Sequence, residues 1–517
     1  MHIPYLLFYN VVVNTFIMIM ERCLKHLFVG IDIGTSSAKL VLIDEDGTVI
    51  NQASADYQVA QPRIGWSEID PNVWHTAVMG CMKKLLAGAE KDKVEGIGVT
   101  GQMHSVAFLD ENGDSIRPVL MWTDKRTKEY LPYLKEQISR HAEISYIANI
   151  ISTGSPACNL YWLKENEPEN FRRLHKFLIG PDYIVFRLTG TYGTDYCEAS
   201  TSSLYDLRSR CWSESMRQII GLPESIYPQV RGSAQIAGRL RREIAAELGL
   251  REDVNVIVGT GDNPAAAITT GCLGHGYPVI SLGTSGVLML SREQLNFDAS
   301  GKNILFSFDS SHFFYLVQGT VQSTGSSFMW WVRDILQVDD ISEVDAHIDI
   351  DAAGRSQVIF YPHIQGDKTL YADPNLSGAF IGLRAETSRW DMAFAVMEGI
   401  CFGFRELADS MCFPWDRHDS IKAAGGGAKS AVWMQTMADV LNKPIDQLDG
   451  AISASLGIAL LSAYSCGRVA DPGEVSDKVM RVERRFMPRP QFREVYDKKL
   501  NQYLRIHDAL QEIKGEE

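Results

Sequence analysis

The clearest pattern in the chain is a run of apolar residues that ends in an aspartate and a turn of small residues. Residues 27–34 read LFVGIDIG, the apolar run 38–43 (AKLVLI) follows at once, and residues 48–50 begin a third run. Short apolar runs that are separated by Gly, Ser and Asp turns are typical of strands joined by hairpins. The pattern predicts an antiparallel three-stranded meander.

A similar phrase recurs in the second half of the chain. Residues 277–285 read YPVISLGTS and residues 286–291 read GVLMLS, so an apolar strand again ends in Gly-Thr-Ser and a second strand returns. Internal repeats of this kind indicate duplicated units. The repeat predicts two related domains, with chance similarity of two short phrases as the alternative.

Strands alternate with helical patterns outside the two hairpins. Residues 94–100 and 254–259 are predicted strands, and the second leads into Asp262 and an alanine-rich helix. Residues 421–424 lead through three glycines into a helix that begins near Ser430. A strand, a glycine turn and a helix form an α/β unit. We therefore predict the α/β fold class.

Composition and charge exclude several classes of protein. The sequence is 45% hydrophobic and 22% charged, a composition typical of globular proteins. Its 517 residues are long enough for more than one domain. The net charge of −14 argues against a nucleic-acid or anionic-membrane partner. The nine cysteines form no CxxC pair, which excludes zinc ribbons and thioredoxin-like motifs, and scattered thiols suit the cytoplasm.

Residues 1–26 precede the first predicted strand and are treated as an extension. The segment 3–20 is mostly apolar, but no positive region precedes it and no small-residue cleavage site follows it. Pro4 and Asn14 interrupt the run of about 20 apolar residues that a membrane span needs. We expect an over-extended start or a disordered extension, and a membrane or partner-binding segment is the alternative.

Two turns after strand ends are candidates for phosphate binding. Small residues let backbone N–H groups approach a phosphate, and hydroxyl groups add donors. Asp32 precedes the first turn and would hold Mg²⁺ directly or through water. An ordinary hairpin turn is the alternative in each case. The first turn consists of Gly34, Thr35, Ser36 and Ser37, and the second contains Gly283 and Thr284.

Gly425, Gly426 and Gly427 form a glycine-rich turn before a predicted helix. Such a turn directs free N–H groups and the positive end of the helix dipole toward an anion or a nucleotide. It is not a Walker A loop, because Ala428 stands where that motif has glycine before the lysine. Close packing of a strand on a helix is the alternative.

Asp262 presents a carboxylate at a predicted helix start within the phrase GTGDNP. Asp is a favoured N-cap residue and Pro is favoured just inside a helix, so a capping role is one interpretation. The functional interpretation is a general base that accepts a proton from an attacking hydroxyl.

Polar residues follow two other predicted strands. Met103 and His104 belong to a Gly-Gln-Met-His phrase, and such positions often line ligand crevices in α/β proteins. A lone histidine is more often structural. Trp122 and Asp124 would supply an apolar wall and an acceptor for a polyol, with a core aromatic as the alternative for Trp122.

Motifs of other enzyme classes are absent from the sequence. It contains no G-x-S-x-G nucleophile elbow, no HExxH motif, no HRD and DFG pair, and no GxGxxG motif after a strand.

Together the motifs resemble the FGGY family of carbohydrate kinases over roughly residues 27–464. The matching phrases, in the order of the family, are GIDIGTSS (30–37), GWSEIDPNVW (65–74), GTGDNPAAA (259–267), DPNLSGAFIGL (373–383), EGICFGFRE (398–406), AAGGGAKSAVWMQTMADVLNKPI (423–445) and SASLGIALLSA (453–463).

The resemblance implies two duplicated actin-like, ribonuclease-H-like domains around a catalytic cleft. Residues 27–272 would form the sugar-binding domain, residues 277–465 the ATP-binding domain, and residues 466–517 a helical tail packed on the second domain. The implied activity is ATP-dependent phosphorylation of a sugar hydroxyl, with ATP and Mg²⁺ as cofactors. The implied partners are a sugar and ATP, and a homodimer is left open.

The resemblance also implies roles for individual residues. Asp262 would be the catalytic proton acceptor, and Asp32 the residue on the metal side. The implied sugar-binding residues are Met103, His104, Trp122, Asp124 and Asn263. The implied ATP-binding residues are Gly34, Thr35, Ser36, Ser37, Gly283, Thr284, Gly325, Gly425, Gly426, Gly427 and Asn442.

Within the family, the Gln-Met-His phrase is similar to that of xylulokinases, which implies conversion of D-xylulose to D-xylulose 5-phosphate. Two positions depart from that pattern: Ser105 stands in place of the usual Gly, and Thr123 in place of the usual Asn. Another pentulose, a polyol or gluconate is therefore an alternative substrate. A non-catalytic sugar and ATP sensor is the alternative of another class, disfavoured because Asp32 and Asp262 are both present.

Overall fold

The computed structural model describes residues 25–338, 341–352, 357–449 and 452–514. The predicted extension, apart from its last two residues, lies outside the described residues. The chain forms two compact units that are each discontinuous in sequence. The first consists of the described chain up to Ile268, Phe306–His312 and Ser453–Val479; the second consists of Thr269–Leu305, Phe313–Ile452 and the described residues from Met480 onward.

The strands of the described residues are β1 (Leu27–Ile33), β2 (Ser37–Asp44), β3 (Val49–Asp56), β4 (Glu68–Ile69), β5 (Val94–Gly101), β6 (Val106–Leu109), β7 (Val119–Leu120), β8 (Lys176–Ile179), β9 (Gly193–Asp195), β10 (Tyr205–Asp206), β11 (Cys211–Trp212), β12 (Gln229–Arg231), β13 (Ile236–Arg239), β14 (Asn255–Ile257), β15 (Thr260–Gly261), β16 (Val279–Leu282), β17 (Gly286–Arg292), β18 (Lys302–Phe306), β19 (Phe314–Val321), β20 (Ile359–Tyr361), β21 (Ala379–Ile381), β22 (Ile421–Ala424), β23 (Ile445–Leu448) and β24 (Val482–Phe486).

The α-helices of the described residues are α1 (Pro71–Leu85), α2 (Leu131–Ser139), α3 (Ile147–Ile150), α4 (Pro156–Asn166), α5 (Pro168–Arg173), α6 (Gly180–Thr189), α7 (Tyr196–Thr201), α8 (Glu214–Ile220), α9 (Arg242–Leu248), α10 (Asp262–Thr269), α11 (Gly325–Met329), α12 (Ile341–His347), α13 (Arg389–Ser410), α14 (Ala431–Leu441), α15 (Ala454–Ser465), α16 (Pro472–Val479), α17 (Arg493–Tyr503) and α18 (Ile506–Lys514).

The main sheet of the first unit has the strand order β13-β14-β5-β1-β2-β3, with β15 also pairing with β5. Strands β1, β2 and β3 pair antiparallel, as the apolar pattern predicted. Strand β5 then pairs parallel with both β1 and β14, and β13 closes the edge antiparallel to β14.

The main sheet of the second unit repeats this arrangement. Its order is β18-β19-β17-β16-β22-β23-β24. Strands β16, β17 and β19 form the antiparallel part, β22 and β23 follow in parallel, and β24 is an antiparallel edge strand. The predicted duplication and the α/β class are both confirmed, because the two sheets share one order of strands, 3-2-1-4-5.

Both faces of β1 are covered by helices, which makes β1 the centre of the first unit. Side chains alternate along a strand, so Val29 and Ile31 pack in the cluster that contains α1, whereas Phe28 packs in the cluster that contains α15. On the α15 face, a Cβ atom at Gly30 would lie 1.9 Å from the backbone oxygen of Ser455. The glycine is required because the helix backbone lies directly on the strand.

The compact units differ from the domain boundaries that the sequence predicted at 27–272, 277–465 and 466–517. Helix α15 was predicted with the second domain, but it packs on β1 and β5 of the first unit. Gly98 shows the cause: a Cβ atom there would lie 2.4 Å from the backbone oxygen of Ile458. The predicted helical tail instead consists of α16, which belongs to the first unit, and of β24, α17 and α18, which belong to the second.

Candidate active site

Asp32 and Asp262 flank the same strand of the first-unit sheet. Asp32 pairs with Thr100 of β5 from one side, and Thr260 of β15 pairs with Thr100 from the other. Asp262 follows β15 directly and is the first residue of α10. Burial of Asp32, reinforced by the negative charge of Asp262, raises the pKa of Asp32 to about 7. The sheet therefore brings the two predicted acidic residues together.

Lys39 is a candidate residue that the sequence analysis missed. It lies directly opposite Asp32 in the pairing of β1 with β2, and its charge opposes the rise in the pKa of Asp32. Its side chain is exposed. The sequence held a signal for Lys39, because it is two residues after Ser37 of the predicted phosphate turn. Alternation along β2 puts both side chains on the same face of the sheet.

The first predicted phosphate turn is held by neighbouring side chains. The Gly34 carbonyl oxygen accepts hydrogen bonds from Tyr57 Oη at 2.5 Å and from Gln102 Nε2 at 3.2 Å. The backbone N–H of Gly34 donates to the Ser37 carbonyl oxygen at 2.9 Å, and Ser36 is exposed at the tip. The turn is thus fixed at its base, and its hydroxyl-bearing tip is accessible.

Met103 and Asn263 lie at the start of α10, and His104 follows Met103 in the chain. Asn263 Nδ2 donates to the Met103 sulfur at 3.4 Å, and a Cβ atom at Gly261 would lie 2.6 Å from Met103 Cγ. His104 has a φ of 72°, a backbone conformation that non-glycine residues rarely adopt outside special turns. The structure brings Met103 and Asn263 next to Asp262, and the contact of all three residues with a sugar stays a prediction.

Glu198 is a second residue that the sequence analysis missed. Its side chain is fully buried, and its Oε1 lies 3.0 Å from the position that a Cβ atom of Gly261 would occupy. Its backbone N–H donates to Asp195, the N-cap of α7, at 2.9 Å. No sequence signal marks it, because a glutamate in the first turn of a helix is commonplace.

Trp122 does not belong to the core, because its side chain is 47% exposed. Its indole Nε1 donates to Thr35 Oγ1 of the first phosphate turn at 3.0 Å. The alternative of a core aromatic is therefore wrong for this residue, and its contact with a sugar stays a prediction.

Asp124 accepts hydrogen bonds from the protein, and its contact with a sugar stays a prediction. The residue is fully buried. Its Oδ1 accepts from the backbone N and Nε of Arg126 at 2.8 and 2.9 Å, and its Oδ2 accepts from Arg126 Nη2 at 2.8 Å and the Ser67 N–H at 2.6 Å. Four protein donors occupy both carboxylate oxygens, so Asp124 anchors the loop after Trp122.

In the second unit, Gly325 packs against the second predicted phosphate turn. Its N–H donates to the Gly283 carbonyl oxygen at 3.0 Å, and a Cβ atom at Gly325 would lie 2.3 Å from the same oxygen. The N–H of Ser326 donates to the Thr284 carbonyl oxygen at 3.0 Å. Gly325 therefore supports the turn through its backbone and its lack of a side chain.

The three glycines after β22 differ in their surroundings. Gly425 has a φ of 103°, and a Cβ atom there would lie 2.6 Å from the Leu282 carbonyl oxygen. A Cβ atom at Gly427 would lie 3.0 Å from the Trp433 ring, whereas one at Gly426 would meet nothing within 4 Å. Close packing accounts for Gly425 and Gly427, and Gly426 leaves an open surface for a ligand.

The structure does not bring Asn442 to this glycine turn. Asn442 has a φ of 51° and is the C-terminal cap of α14, whereas the glycine turn precedes the N-terminus of that helix. Eleven helical residues separate the two ends by about 16 Å. Asn442 caps the helix, a position for which a left-handed Asn is well suited, and its contact with ATP stays a prediction.

The described residues fit a magnesium ion that is bound mostly through a nucleotide. Within the described ranges, no three His, Cys, Asp or Glu side chains are arranged to hold a metal by themselves. Mg²⁺ usually binds through one or two carboxylates together with phosphate oxygens and water. Asp32, with the charge of Asp262 acting on it, is a carboxylate that a nearby cation would stabilise.

Two general features of the described chain concern membranes and thiols. None of the helices between residues 25 and 514 that the structure describes is long and apolar enough to cross a bilayer. The eight cysteines in this part of the chain are all free thiols.

Known proteins match the chain over nearly its whole length. Residues 27–269 match the N-terminal domain, and residues 279–466 the C-terminal domain, of the FGGY family of carbohydrate kinases. The chain is 28% identical over 480 residues to a xylulose kinase from Staphylococcus xylosus, which covers 93% of this chain and 99% of the relative. It is 25% identical over 466 residues to a gluconokinase from Bacillus subtilis, covering 87% of this chain and 90% of the relative.

The fold is similar to solved structures as well. The crystal structure of a xylulose kinase from Rhodospirillum rubrum matches with a TM-score of 0.85 at 25% identity, covering 94% of this chain and 99% of that one. Because the two family domains match in order and together span most of its residues, the chain belongs to the FGGY family of carbohydrate kinases.

Proposed function

We propose that this carbohydrate kinase transfers the γ-phosphoryl group of ATP to a hydroxyl of D-xylulose and releases D-xylulose 5-phosphate. The observation that carries the proposal is the cluster of Asp262, Met103 and Asn263 at the start of α10, beside Asp32. The Gln-Met-His phrase and the xylulose kinase relatives support the choice of sugar.

Asp262 acts as the base in this proposal. The oxygen of the sugar hydroxyl forms a bond to the γ-phosphorus, the bond from that phosphorus to the bridging oxygen breaks, and ADP leaves. The hydroxyl proton passes to Asp262. Because the transition state of phosphoryl transfer is loose, the proton transfers late, and positioning of the hydroxyl contributes most of the catalysis.

Asp32 would hold the magnesium ion, directly or through water. When bound, Mg²⁺ neutralises charge on the phosphate oxygens of ATP. Lys39, which faces Asp32 across the β1–β2 pair, would add a positive charge on the same face of the sheet. The Gly34–Ser37 turn supplies backbone N–H groups and hydroxyls to the phosphates.

The second unit supplies the remaining ATP contacts in this proposal. The turn that contains Gly283 and Thr284, supported by Gly325, binds phosphate through its backbone. The open surface at Gly426 accepts the adenosine part of the nucleotide. We further propose that the enzyme works in the cytoplasm, because its free thiols suit a reducing compartment.

Gluconate is the second candidate substrate. The gluconokinase relative supports it, and Ser105 and Thr123 both depart from the usual xylulokinase phrases. The test is a comparison of kcat/KM for sugar-dependent ADP release with D-xylulose, D-ribulose, gluconate and glycerol. The proposal predicts the highest value for D-xylulose. A higher value for gluconate would assign the enzyme to that acid, and sugar binding without ADP release would indicate a sensor.

A further inference from the structure

Ser105 is the centre of a chain of hydrogen bonds that reaches the first phosphate turn at two points. Its Oγ donates to Gln102 Oε1 at 3.2 Å and accepts from the backbone N–H of Trp122 at 3.0 Å. Gln102 Nε2 then donates to the Gly34 carbonyl oxygen at 3.2 Å, and the indole Nε1 of Trp122 donates to Thr35 Oγ1 at 3.0 Å. One hydroxyl therefore connects the segment that carries Met103 and His104 with two consecutive residues of the phosphate turn.

The chemistry of this link depends on a serine. Ser105 is fully buried, and its hydroxyl is used both as donor and as acceptor. The resembling xylulokinase phrase continues with glycine at this position, and glycine has no hydroxyl with which to join Gln102 to Trp122. The connection therefore requires a side chain with a hydroxyl at position 105.

The backbone on either side of Ser105 is already fixed by other contacts. The N–H of Gln102 donates to the Ile33 carbonyl oxygen at 2.8 Å, and the N–H of Gly180 donates to the Ser105 carbonyl oxygen at 2.8 Å. Removal of the hydroxyl should therefore leave the course of the backbone intact. What it removes is the link from this segment to Trp122.

The residues of this hydrogen-bond chain differ in their exposure to solvent. Ser105 and Gln102 are buried, whereas the Trp122 side chain is 47% exposed and accessible to a substrate. A sugar that packs on Trp122 or binds His104 restrains this network, and a nucleotide that binds at Thr35 restrains the same network from the other end. Restraint at one site then lowers the cost of ordering at the other.

We infer that Ser105 is a positioning residue that couples sugar binding to nucleotide binding. The inference rests on the proposed function, because it takes Trp122 and His104 as sugar contacts and Thr35 as a phosphate contact. Coupling of this kind is reciprocal: the factor by which the sugar tightens nucleotide binding equals the factor by which the nucleotide tightens sugar binding.

The test measures the dissociation constant of AMP-PNP with Mg²⁺ by calorimetry, with and without saturating D-xylulose. We expect the sugar to tighten binding by roughly two- to tenfold in the wild type, the effect of one hydrogen bond. In S105A and S105G this ratio should fall, because the backbone of Trp122 loses the hydroxyl that holds it. W122F, which keeps an aromatic ring but loses the indole N–H, should lower the ratio too and keeps the test valid if the Ser105 variants fold poorly.

A matched control is available in the same unit. Ser202 is also fully buried, and its Oγ donates to the Ala199 carbonyl oxygen at 2.6 Å and accepts from the Leu204 N–H at 3.0 Å. S202A removes a hydroxyl with the same two bonds but no link to the phosphate turn. It should keep the wild-type ratio, even if its melting temperature falls as much as that of S105A.

The outcomes separate the inference from the proposed function. A wild-type ratio near one, an unchanged ratio in the Ser105 and Trp122 variants, or an equal loss in S202A would overturn the coupling role. If the wild-type enzyme neither binds nor phosphorylates D-xylulose, the proposed function fails first, and the ratio is then measured with the sugar that gives the highest turnover.

Discussion

Asp32 lies close enough to Asp262 that the negative charge of Asp262, added to the effect of burial, brings the pKa of Asp32 to about 7. Two acidic groups held near each other resist simultaneous ionisation. The pairing of β1 and β15 with β5 holds these two carboxylates in that arrangement. A cation or a positively charged group near Asp32 relieves the repulsion. A nearby cation, such as the magnesium ion of the proposed function, would therefore stabilise this arrangement, and its cost in stability can be measured.

The first prediction concerns that cost. The pKa of Asp32 is about 7 in the folded protein and near 4 in an unfolded chain. Between pH 4 and pH 7 the folded state keeps a proton on Asp32 that the unfolded state has released. The free energy of unfolding therefore falls as the pH rises from about 4 to about 7, and it stays at the lower value above pH 7. D32N should therefore raise the free energy of unfolding by about 1–3 kcal/mol at pH 8 and leave it nearly unchanged at pH 4.

Urea unfolding at the two pH values in the absence of Mg²⁺ measures this difference. Asp92, which is exposed in the turn before β5, offers the control variant D92N, whose effect should be small at both values. Destabilisation of D32N at pH 8 would contradict the assignment.

A second prediction concerns the pH dependence of activity. Asp32 must be ionised to hold Mg²⁺, so kcat/KM for ATP should rise with pH. At low Mg²⁺ this rising limb of the pH profile should have its midpoint near pH 7. A cation stabilises the carboxylate, so the limb should move to lower pH as the Mg²⁺ concentration increases. Profiles at two Mg²⁺ concentrations, with D32N as the comparison, test this. A limb that stays in place in the wild type would assign it to another group.

The role of Asp262 leads to a third prediction. D262N should lower kcat by at least about 100-fold, the usual contribution of general acid–base catalysis, and still fold, because Asn is nearly the same size as Asp at the first position of α10. Circular dichroism and the melting temperature check the fold, and ADP release checks turnover. Normal turnover per folded molecule would show that Asp262 is not the base.

A fourth prediction separates the side chain of His104 from its backbone conformation. H104A should lower kcat/KM for the sugar by about tenfold to a hundredfold, because a buried polar contact to a substrate hydroxyl is lost, and leave the KM for ATP unchanged. Because φ is 72°, H104G should lose the same activity and be more stable than H104A. Equal sugar kinetics in the wild type and both variants would exclude His104 from the sugar site.

The glycine turn of the second unit gives a fifth prediction from a matched pair. G425A places a Cβ atom 2.6 Å from the Leu282 carbonyl oxygen at a φ of 103°, so it should destabilise the protein by more than about 1 kcal/mol. G426A places its Cβ in open space, so its stability should stay near wild type. If adenosine binds against this surface, G426A should still raise the KM for ATP, and an unchanged KM would exclude the contact.

The sequence predicted the two sheets well, because each begins with an apolar hairpin whose pattern is local. It did not predict that α15 packs on the first sheet. The helix packs there because Gly30 and Gly98 leave room for its backbone. A glycine in a strand does not by itself indicate which element approaches it. A helix that is apolar on every side, as α15 is, gives no indication of its partner either.

The candidate site, like the fold, was predicted only in part from the sequence. Asp32 lies near the end of β1, Met103 and Asp262 follow the ends of β5 and β15, and all three were identified from the sequence. Lys39 was identified through its register opposite Asp32, although its spacing from Ser37 was a sequence signal, and Glu198 was identified only through its approach to Gly261. The bond from Arg126 to Asp124 and the position of Asn442 at the end of α14 were not predicted, because the sequence alone locates neither donors nor helix ends.

The most direct test of the account is the reaction product itself. Purified wild-type enzyme is incubated with ATP, Mg²⁺ and D-xylulose, ADP is quantified, and the sugar phosphate is identified by coupled proton and phosphorus NMR. The account predicts one ADP per molecule of D-xylulose 5-phosphate, with phosphorus on O5, and at least about 100-fold slower formation in D262N. Release of ADP without a phosphorylated sugar, phosphorylation at another hydroxyl, or an undiminished rate in D262N would contradict it.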